Sequence, residues 1–296
     1  MAERRIVAVG DLHGDMESAL SVLRMAGVIH QNNSWAGGNH TILVQTGDLI
    51  DRGPDTVQLL NLFPRLVQEA NKAGGRVIQI LGNHEFMNML GDLSFVRERS
   101  SEFASRQSRK IAFSPSGDIG RRLFNLPIMH QIGDTVFTHG GILPAWASSI
   151  VHRVNAYATQ HLMAYFAGAL EELPAVFGPD GPTWYRGYAL GAEKTICSVL
   201  QSALNAMGAK RMVVGHTMQD NGRILSRCDK RFFVIDVGIS KAMLGYQAAL
   251  EILPNGSVRG IYPSGVQELS ESVDTDIDDK RPTAANSGER KRKSGE

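Results

Sequence analysis

Six residues of metal-ligating type fall where short apolar runs end. Asp11 and His13 follow the run Arg5 to Val9, Asp48 follows Thr41 to Gln45, and Asn83 follows Arg76 to Leu81. His139 follows Thr135 to Phe137, and His216 follows Arg211 to Val214. Short, β-branched, turn-bounded runs of this kind predict buried strands. In an α/β sheet the ligand crevice lies beyond the C-terminal strand ends, so residues far apart in sequence converge there. Carboxylate, imidazole and amide oxygen together suit borderline to hard divalent ions such as Mn, Fe or Zn. No thiol joins them, which argues against a structural zinc site. One carboxylate can bridge two ions about 3.5–4 Å apart, as in two-metal hydrolytic sites. Two such ions against only two carboxylates, Asp11 and Asp48, leave the centre positive. That charge attracts a phosphate monoester, which carries about −1.5 to −2.

Helical patterns alternate with these runs. Met16 to Ala26 places Ala19, Leu20, Leu23 and Ala26 on one face, and Ala192 to Met207 does the same with Ile196, Val199, Leu200 and Ala203. Thr56 to Ala73 is a third such stretch, which Pro64 is expected to kink or restart. A sixth apolar run, Arg231 to Ile235, ends in Asp236, and Asn255-Gly256 between two late strand-like runs signals a hairpin. Strands alternating with helices predict α/β architecture. Two stretches interrupt it. Residues 92–126 concentrate Arg97, Arg99, Arg106, Arg109, Lys110, Arg121 and Arg122, and residues 145–190 are partly helical and end in Trp184-Tyr185-Arg186-Gly187. The basic stretch is either a solvated face or a groove that attracts acidic phosphosubstrates. From Glu268 apolar residues become scarce and acids give way to Lys and Arg. The expected organisation is a catalytic domain over 1–267, with inserts at about 92–126 and 145–190, and a disordered acidic-then-basic tail over 268–296.

The runs Gly10-Asp11-Leu12-His13-Gly14, Gly47-Asp48-Leu49-Ile50-Asp51-Arg52-Gly53 and Gly82-Asn83-His84-Glu85 occur in that order. With two later strand-end histidines they resemble the phosphoprotein phosphatase family of calcineurin-like metallophosphoesterases. Glu85-Phe86-Met87-Asn88, Trp184 to Gly187 and Ile235 to Ser240 look like its Shewanella-like protein phosphatase branch. The resemblance spans roughly residues 5–263. It implies a β-sandwich flanked by helices, with a dinuclear site at the strand C-terminal ends. It also implies roles. Asp11 and His13 would bind one divalent metal, Asp48 would bridge, and Asn83, His139 and His216 would bind the second. His84 would be the general acid, oriented by Asp51. Arg52 and Arg186 would hold the phosphate. The implied reaction is in-line attack of a metal-bridging hydroxide on a phosphomonoester.

Composition narrows the partners. The 296 residues carry 31 Lys and Arg against 30 Asp and Glu, so no overall charge grips nucleic acid or membrane. No run reaches the roughly 18 apolar residues that a membrane span needs. Met1 to Arg5 passes directly into the first strand, which predicts no signal peptide. Cys197 and Cys228 fit buried thiols in a reducing, cytoplasmic setting, and the basic clusters Lys280-Arg281 and Arg290 to Lys293 would also suit nuclear import. A phosphorylated protein is the expected substrate, Ser/Thr or Tyr. The alternatives are a dinucleoside polyphosphate, as for diadenosine-tetraphosphatase relatives, and a catalytically silent scaffold.

The toxin-sensitive Ser-Ala-Pro-Asn-Tyr-Cys loop of the best-known branches is absent, and Ile235 to Leu244 stands in its place. Nanomolar okadaic acid or microcystin should therefore leave phosphatase activity intact in an inhibition titration.

Overall fold

The protein is described here by a computed structural model covering residues 4–97, 102–148 and 150–270. Its first half runs β1 (Arg5–Val9), α1 (Met16–Met25), β2 (Thr41–Gln45), α2 (Thr56–Lys72), β3 (Arg76–Gln79) and α3 (Asn83–Met89). There follow α4 (Arg106–Phe113), α5 (Asp118–Leu123), β4 (Met129–Ile132), β5 (Thr135–Thr138), α6 (Val151–Phe166), α7 (Gly187–Leu190) and α8 (Glu193–Met207). The second half closes with β6 (Arg211–Val214), β7 (Leu225–Arg227), β8 (Phe232–Val234), β9 (Ala249–Ile252), β10 (Val258–Tyr262) and β11 (Gly265–Ser270).

Two mixed sheets form, ordered β11-β10-β9-β1-β2-β3 and β4-β5-β6-β8-β7. Strands β1, β2 and β3 are parallel, with Val7 beside Leu43 and Leu43 beside Val77. Strands β5, β6 and β8 are parallel in the second sheet. Parallel strands are buried on both faces, and β2 is buried along its whole length. The consequence for the site is geometric. Parallel strands end on the same side, so six loops leave the two sheets towards one crevice.

The expected α/β sandwich is thus observed, with helices on its flanks. Several details differ from the sequence reading. Helix α2 passes through Pro64 without interruption. Proline leaves the carbonyl four residues earlier without its helical donor; here Arg122 Nη1 donates to that Leu60 oxygen at 3.1 Å. Strands β4, β7 and β11 were not expected. Each is the outer, sheet-edge partner of a hairpin, paired antiparallel with β5, β8 and β10. The boundary expected at 267 falls inside β11, so the fold continues to Ser270; the rest of the tail lies outside the described residues. Among the described residues no helix is long and apolar enough to cross a membrane.

The cysteines overturn another expectation. Cys197 of α8 and Cys228 of the β7–β8 turn form a disulfide, with Cα atoms 5.3 Å apart. The turn is brought to α8 by Glu193, whose carboxylate accepts the Cys228 amide at 2.7 Å. Two cysteines 31 residues apart give no pairing signal until β7 and β8 are known to be a hairpin. The ground for a reducing compartment falls with the free thiols. Closing a loop of this length should stabilise the oxidised chain by about 3–4 kcal/mol. Urea unfolding with and without a phosphine reductant should show that difference, and the Cys197→Ser, Cys228→Ser double variant should be insensitive to reductant.

Candidate metal centre

Five residues at the strand-end loops occupy left-handed backbone without being glycine: His13 (φ 40°), Asp48 (φ 55°), Asp51 (φ 70°), Arg52 (φ 59°) and His216 (φ 65°). Each costs on the order of 1–3 kcal/mol and persists only where its surroundings over-determine it. Two loops do this for each other. Leu12 and His13 amides donate to the Asp48 carbonyl at 2.9 and 3.0 Å, and Gly53 donates back to the His13 carbonyl at 3.0 Å. Gly82 permits the third loop to approach, since a Cβ there would overlap the Asp48 amide and carboxylate.

Glu85 staples the second and third loops together. Its carboxylate accepts the amides of Asp48 (2.9 Å), Leu49 (2.8 Å) and Gly82 (2.9 Å). Asp48 returns the contact, its Oδ1 accepting the His84 amide at 2.9 Å. The second sheet joins through His139, whose Nδ1 lies 2.8 Å from the Thr46 carbonyl. It joins again through His216, whose amide donates to both Asp11 oxygens at 3.2 Å.

All six residues singled out as ligands come together and are buried. Their unused atoms are acceptors. The His139 Nδ1–H must serve the Thr46 carbonyl, so a neutral ring turns its Nε2 lone pair inward. That lone pair meets Asn83 Oδ1 at 2.9 Å and Asp48 Oδ2 at 3.3 Å. With that ring neutral, three acceptors would face one another, an arrangement that a cation reconciles. His13 repeats the logic, with Nδ1 on the Ile50 carbonyl at 3.1 Å and Nε2 at 3.9 Å from both Asp11 and Asp48. Backbone anchoring of one ring nitrogen is how ligating histidines are commonly oriented. Asp48 belongs to two groups whose donor atoms lie within 4.8 Å of one another, one with His13 and His84, the other with His139 and His216. A donor set of carboxylate, imidazole and amide oxygen in this space would fit divalent cations.

Electrostatics agree. Burial, then Asp236 and Asp48, hold the Asp11 carboxyl well above its usual range. Burial pushes His13 down to about 4, and burial with His139 and Arg186 pushes His216 down to about 2. Those rings are neutral and free to ligate. Burial works against the charge on Asp48, but the imidazoles of His139 and His84 outweigh it and hold Asp48 well below the ordinary carboxylate range. Burial and Asp48 raise Glu85 to about 7, and burial raises Asp236 to about 6.

His84 stands apart from the other imidazoles. Its Nδ1 lies 2.8 Å from Asp51 Oδ2, and its Nε2 points inward, 3.7 Å from Asp48 Oδ2. Burial opposes its protonation, yet Asp48 and Asp51 outweigh burial and raise its pKa. Arg52 stacks on Phe95 (4.5 Å) at a cleft of about 700 Å³, and Phe95 in turn lies 4.9 Å from the His84 ring. Arg186 lies on the other flank, Nη2 3.4 Å from His216 Nδ1. It borders a second, apolar cleft of about 430 Å³ with Met87 and Trp184.

Three residues of this centre were not anticipated. Asp236, buried beside Asp11, follows an apolar run as the ligands do, so its signal was present. Asn88 lies one helical turn after His84 and donates to both Asp51 oxygens at 3.1 and 2.9 Å. Arg109 is 2% exposed and donates to Asp51 at 2.8 Å. Nothing in the sequence separates it from the other cations of residues 92–126. The stretch is therefore neither uniformly a solvated face nor a basic groove. Arg121 pairs with Asp118 at the surface, Arg106 donates to the Leu93 carbonyl, and Arg97 lines the larger cleft.

Residues 4–220 match the model of the calcineurin-like phosphoesterase family. An uncharacterized Schizosaccharomyces pombe protein is 38% identical, the alignment covering 89% of this chain and 82% of that one. Shewanella-like protein phosphatase 2 of Arabidopsis thaliana is 32% identical over 86% of this chain and 76% of its own length. Among solved structures, the cold-active protein-tyrosine phosphatase of a psychrophilic Shewanella superposes with a TM-score of 0.77 at 28% identity, covering 90% of this chain and 80% of that one.

Protonation couples this centre to stability. In the metal-free fold, Glu85 keeps a proton that the unfolded chain has released by about pH 6.5, and His84 keeps one that the unfolded chain releases around that pH. His13 and His216 act in the opposite direction, but only below that pH, where unfolded histidine becomes charged. The melting temperature of metal-free protein should thus fall as pH rises above about 6.5 and through the Glu85 value of about 7. Added Mn should raise it more at the upper end, and a scanning fluorimetry series reads both effects.

Proposed function

Since the chain belongs to the calcineurin-like phosphoesterase family and, within it, to the Shewanella-like protein phosphatases, we propose that it hydrolyses phosphomonoesters on protein side chains with two divalent ions. Asp11, His13, Asp48, Asn83, His139 and His216 would hold them. The observation that carries this reading is the buried convergence of Asn83 Oδ1, His139 Nε2 and Asp48 Oδ2. Bound there, two divalent cations supply an acidified water and neutralise charge on the phosphoryl oxygens.

The chain's own residues do the rest. Arg52 and Arg186 flank the centre, and each guanidinium offers a planar fork that meets two phosphate oxygens. They hold the phosphoryl group in line and stabilise the charge that gathers on its equatorial oxygens. The departing oxygen of serine, threonine or tyrosine is a poor leaving group without a proton. His84 gives that proton from Nε2, because its Nδ1–H is committed to Asp51. No residue need become phosphorylated. The name of the Shewanella structure supports phosphotyrosine among the substrates. The serine and threonine esters remain part of the proposal.

Release of phosphate from matched phosphoserine, phosphothreonine and phosphotyrosine peptides in Mn tests the reading, with diadenosine tetraphosphate as the competing substrate. Asp48→Asn should lose both metal equivalents on dialysis. His84→Asn should keep them and lose about 10²–10⁴-fold in kcat on peptide substrates. Failure of the folded protein to take up two equivalents would overturn it.

A further inference from the structure

We propose that Arg109 is a positioning residue for proton transfer: it fixes the Asp51 carboxylate so that His84 presents Nε2 to the leaving oxygen. The proposal rests on the assignment of His84 as the acid.

The geometry is a closed clamp. Arg109 Nη2 donates to Asp51 Oδ1 at 2.8 Å, and its Nε donates to Asn88 Oδ1 at 2.8 Å. Asn88 Nδ2 donates to the Asp51 carboxylate and to the His84 carbonyl, the latter at 2.9 Å. Each Asp51 oxygen is therefore committed, Oδ1 to Arg109 and Oδ2 to the His84 Nδ1–H. Without Arg109 the two oxygens become interchangeable, and the carboxylate can turn about its own bond. Asp51 needs this hold because its backbone is already left-handed, at φ 70°.

Arg109 is itself rigid. Its guanidinium lies over the rings of Phe103 and Phe113, at 5.1 and 4.9 Å. Its planar fork is pre-organised for two acceptors in a way that a lysine ammonium is not. Burying a guanidinium against a carboxylate is a poor route to stability, since apolar packing of similar volume does as well or better. What the pair supplies is orientation. The basic insert thus delivers one cation inward, to the acid rather than to substrate.

Phenyl phosphate and 2,4-dinitrophenyl phosphate separate this role from a merely structural one, because only the first leaving group needs a proton. In Arg109→Met, kcat on phenyl phosphate should fall about 30–100-fold, and on the dinitrophenyl ester less than about fivefold, with KM nearly unchanged. Arg109→Lys should lie between, and it carries the same comparison if Arg109→Met does not fold. In an Asp51→Asn background, Arg109→Lys should add no further leaving-group dependence. A second readout needs no turnover. The downfield Nδ1–H proton resonance of His84, identified by its loss in His84→Asn, should shift or broaden in metal-free Arg109→Met. Equal falls on both esters, or an unmoved resonance, would overturn the role of Arg109. If His84→Asn itself loses both esters equally, the acid assignment fails, and the proposal fails with it.

Discussion

The carboxylate of Asp48 faces three imidazoles at once. Its Oδ2 lies 3.3 Å from His139 Nε2, 3.7 Å from His84 Nε2 and 3.9 Å from His13 Nε2. Those rings come from loops after β5, β3 and β1. This one oxygen thus lies where loops of both sheets meet. Its position is set by backbone rather than by rotamer. The Asp48 amide is held by Glu85, its carbonyl receives the Leu12 and His13 amides, and its φ is positive. A left-handed aspartate is unfavourable by on the order of 1–3 kcal/mol. Each hydrogen bond from the neighbouring loops returns about 1 kcal/mol. Strain at the centre is thus offset by the loops that the centre organises.

This explains which parts of the molecule were legible in sequence. Strands β1, β2 and β6 were bounded correctly, because a strand buried on both faces must be apolar throughout and stops at the first polar turn. The same rule exposes the site, since Asp11, Asp48, Asn83, His139 and His216 are polar residues standing where an apolar run ends. Edge strands carry no such signature. Strand β7 is three residues long and β11 is mostly exposed, so neither needs an apolar run. Pro64 misleads for a related reason. A proline breaks a helix when the carbonyl it orphans has no other donor, and Arg122 is 62 positions from the Leu60 that it serves. The disulfide partner of Cys197 was hidden in the same way by the β7–β8 hairpin.

Arg109 marks where charge patterning stops being informative. Residues 92–126 look like one basic segment, yet their cations go to different places. One pairs at the surface, one serves a helix carbonyl and one is buried against Asp51. Sequence reports the sign of a side chain but not its depth. Depth is decided here by α4, whose Phe113 joins the core and turns Arg109 inward on the same helix face. A buried guanidinium must then find acceptors, and Asp51 and Asn88 are the acceptors within reach.

The two histidines beside Asp48 that look most alike therefore do different work. His13 and His84 pack edge to face with centroids 4.7 Å apart, and both turn Nε2 towards the same carboxylate. What separates them is the partner on Nδ1. His13 meets a backbone carbonyl, which orients the ring and adds no charge, and burial leaves the ring neutral. His84 meets a carboxylate there, and Asp48 and Asp51 together outweigh burial and favour the imidazolium. A neutral ring offers a lone pair, which is what a ligand needs. A protonated ring offers a hydrogen, which is what an acid needs. The division between binding a cation and giving a proton is thus written one bond further out than the residues that carry it.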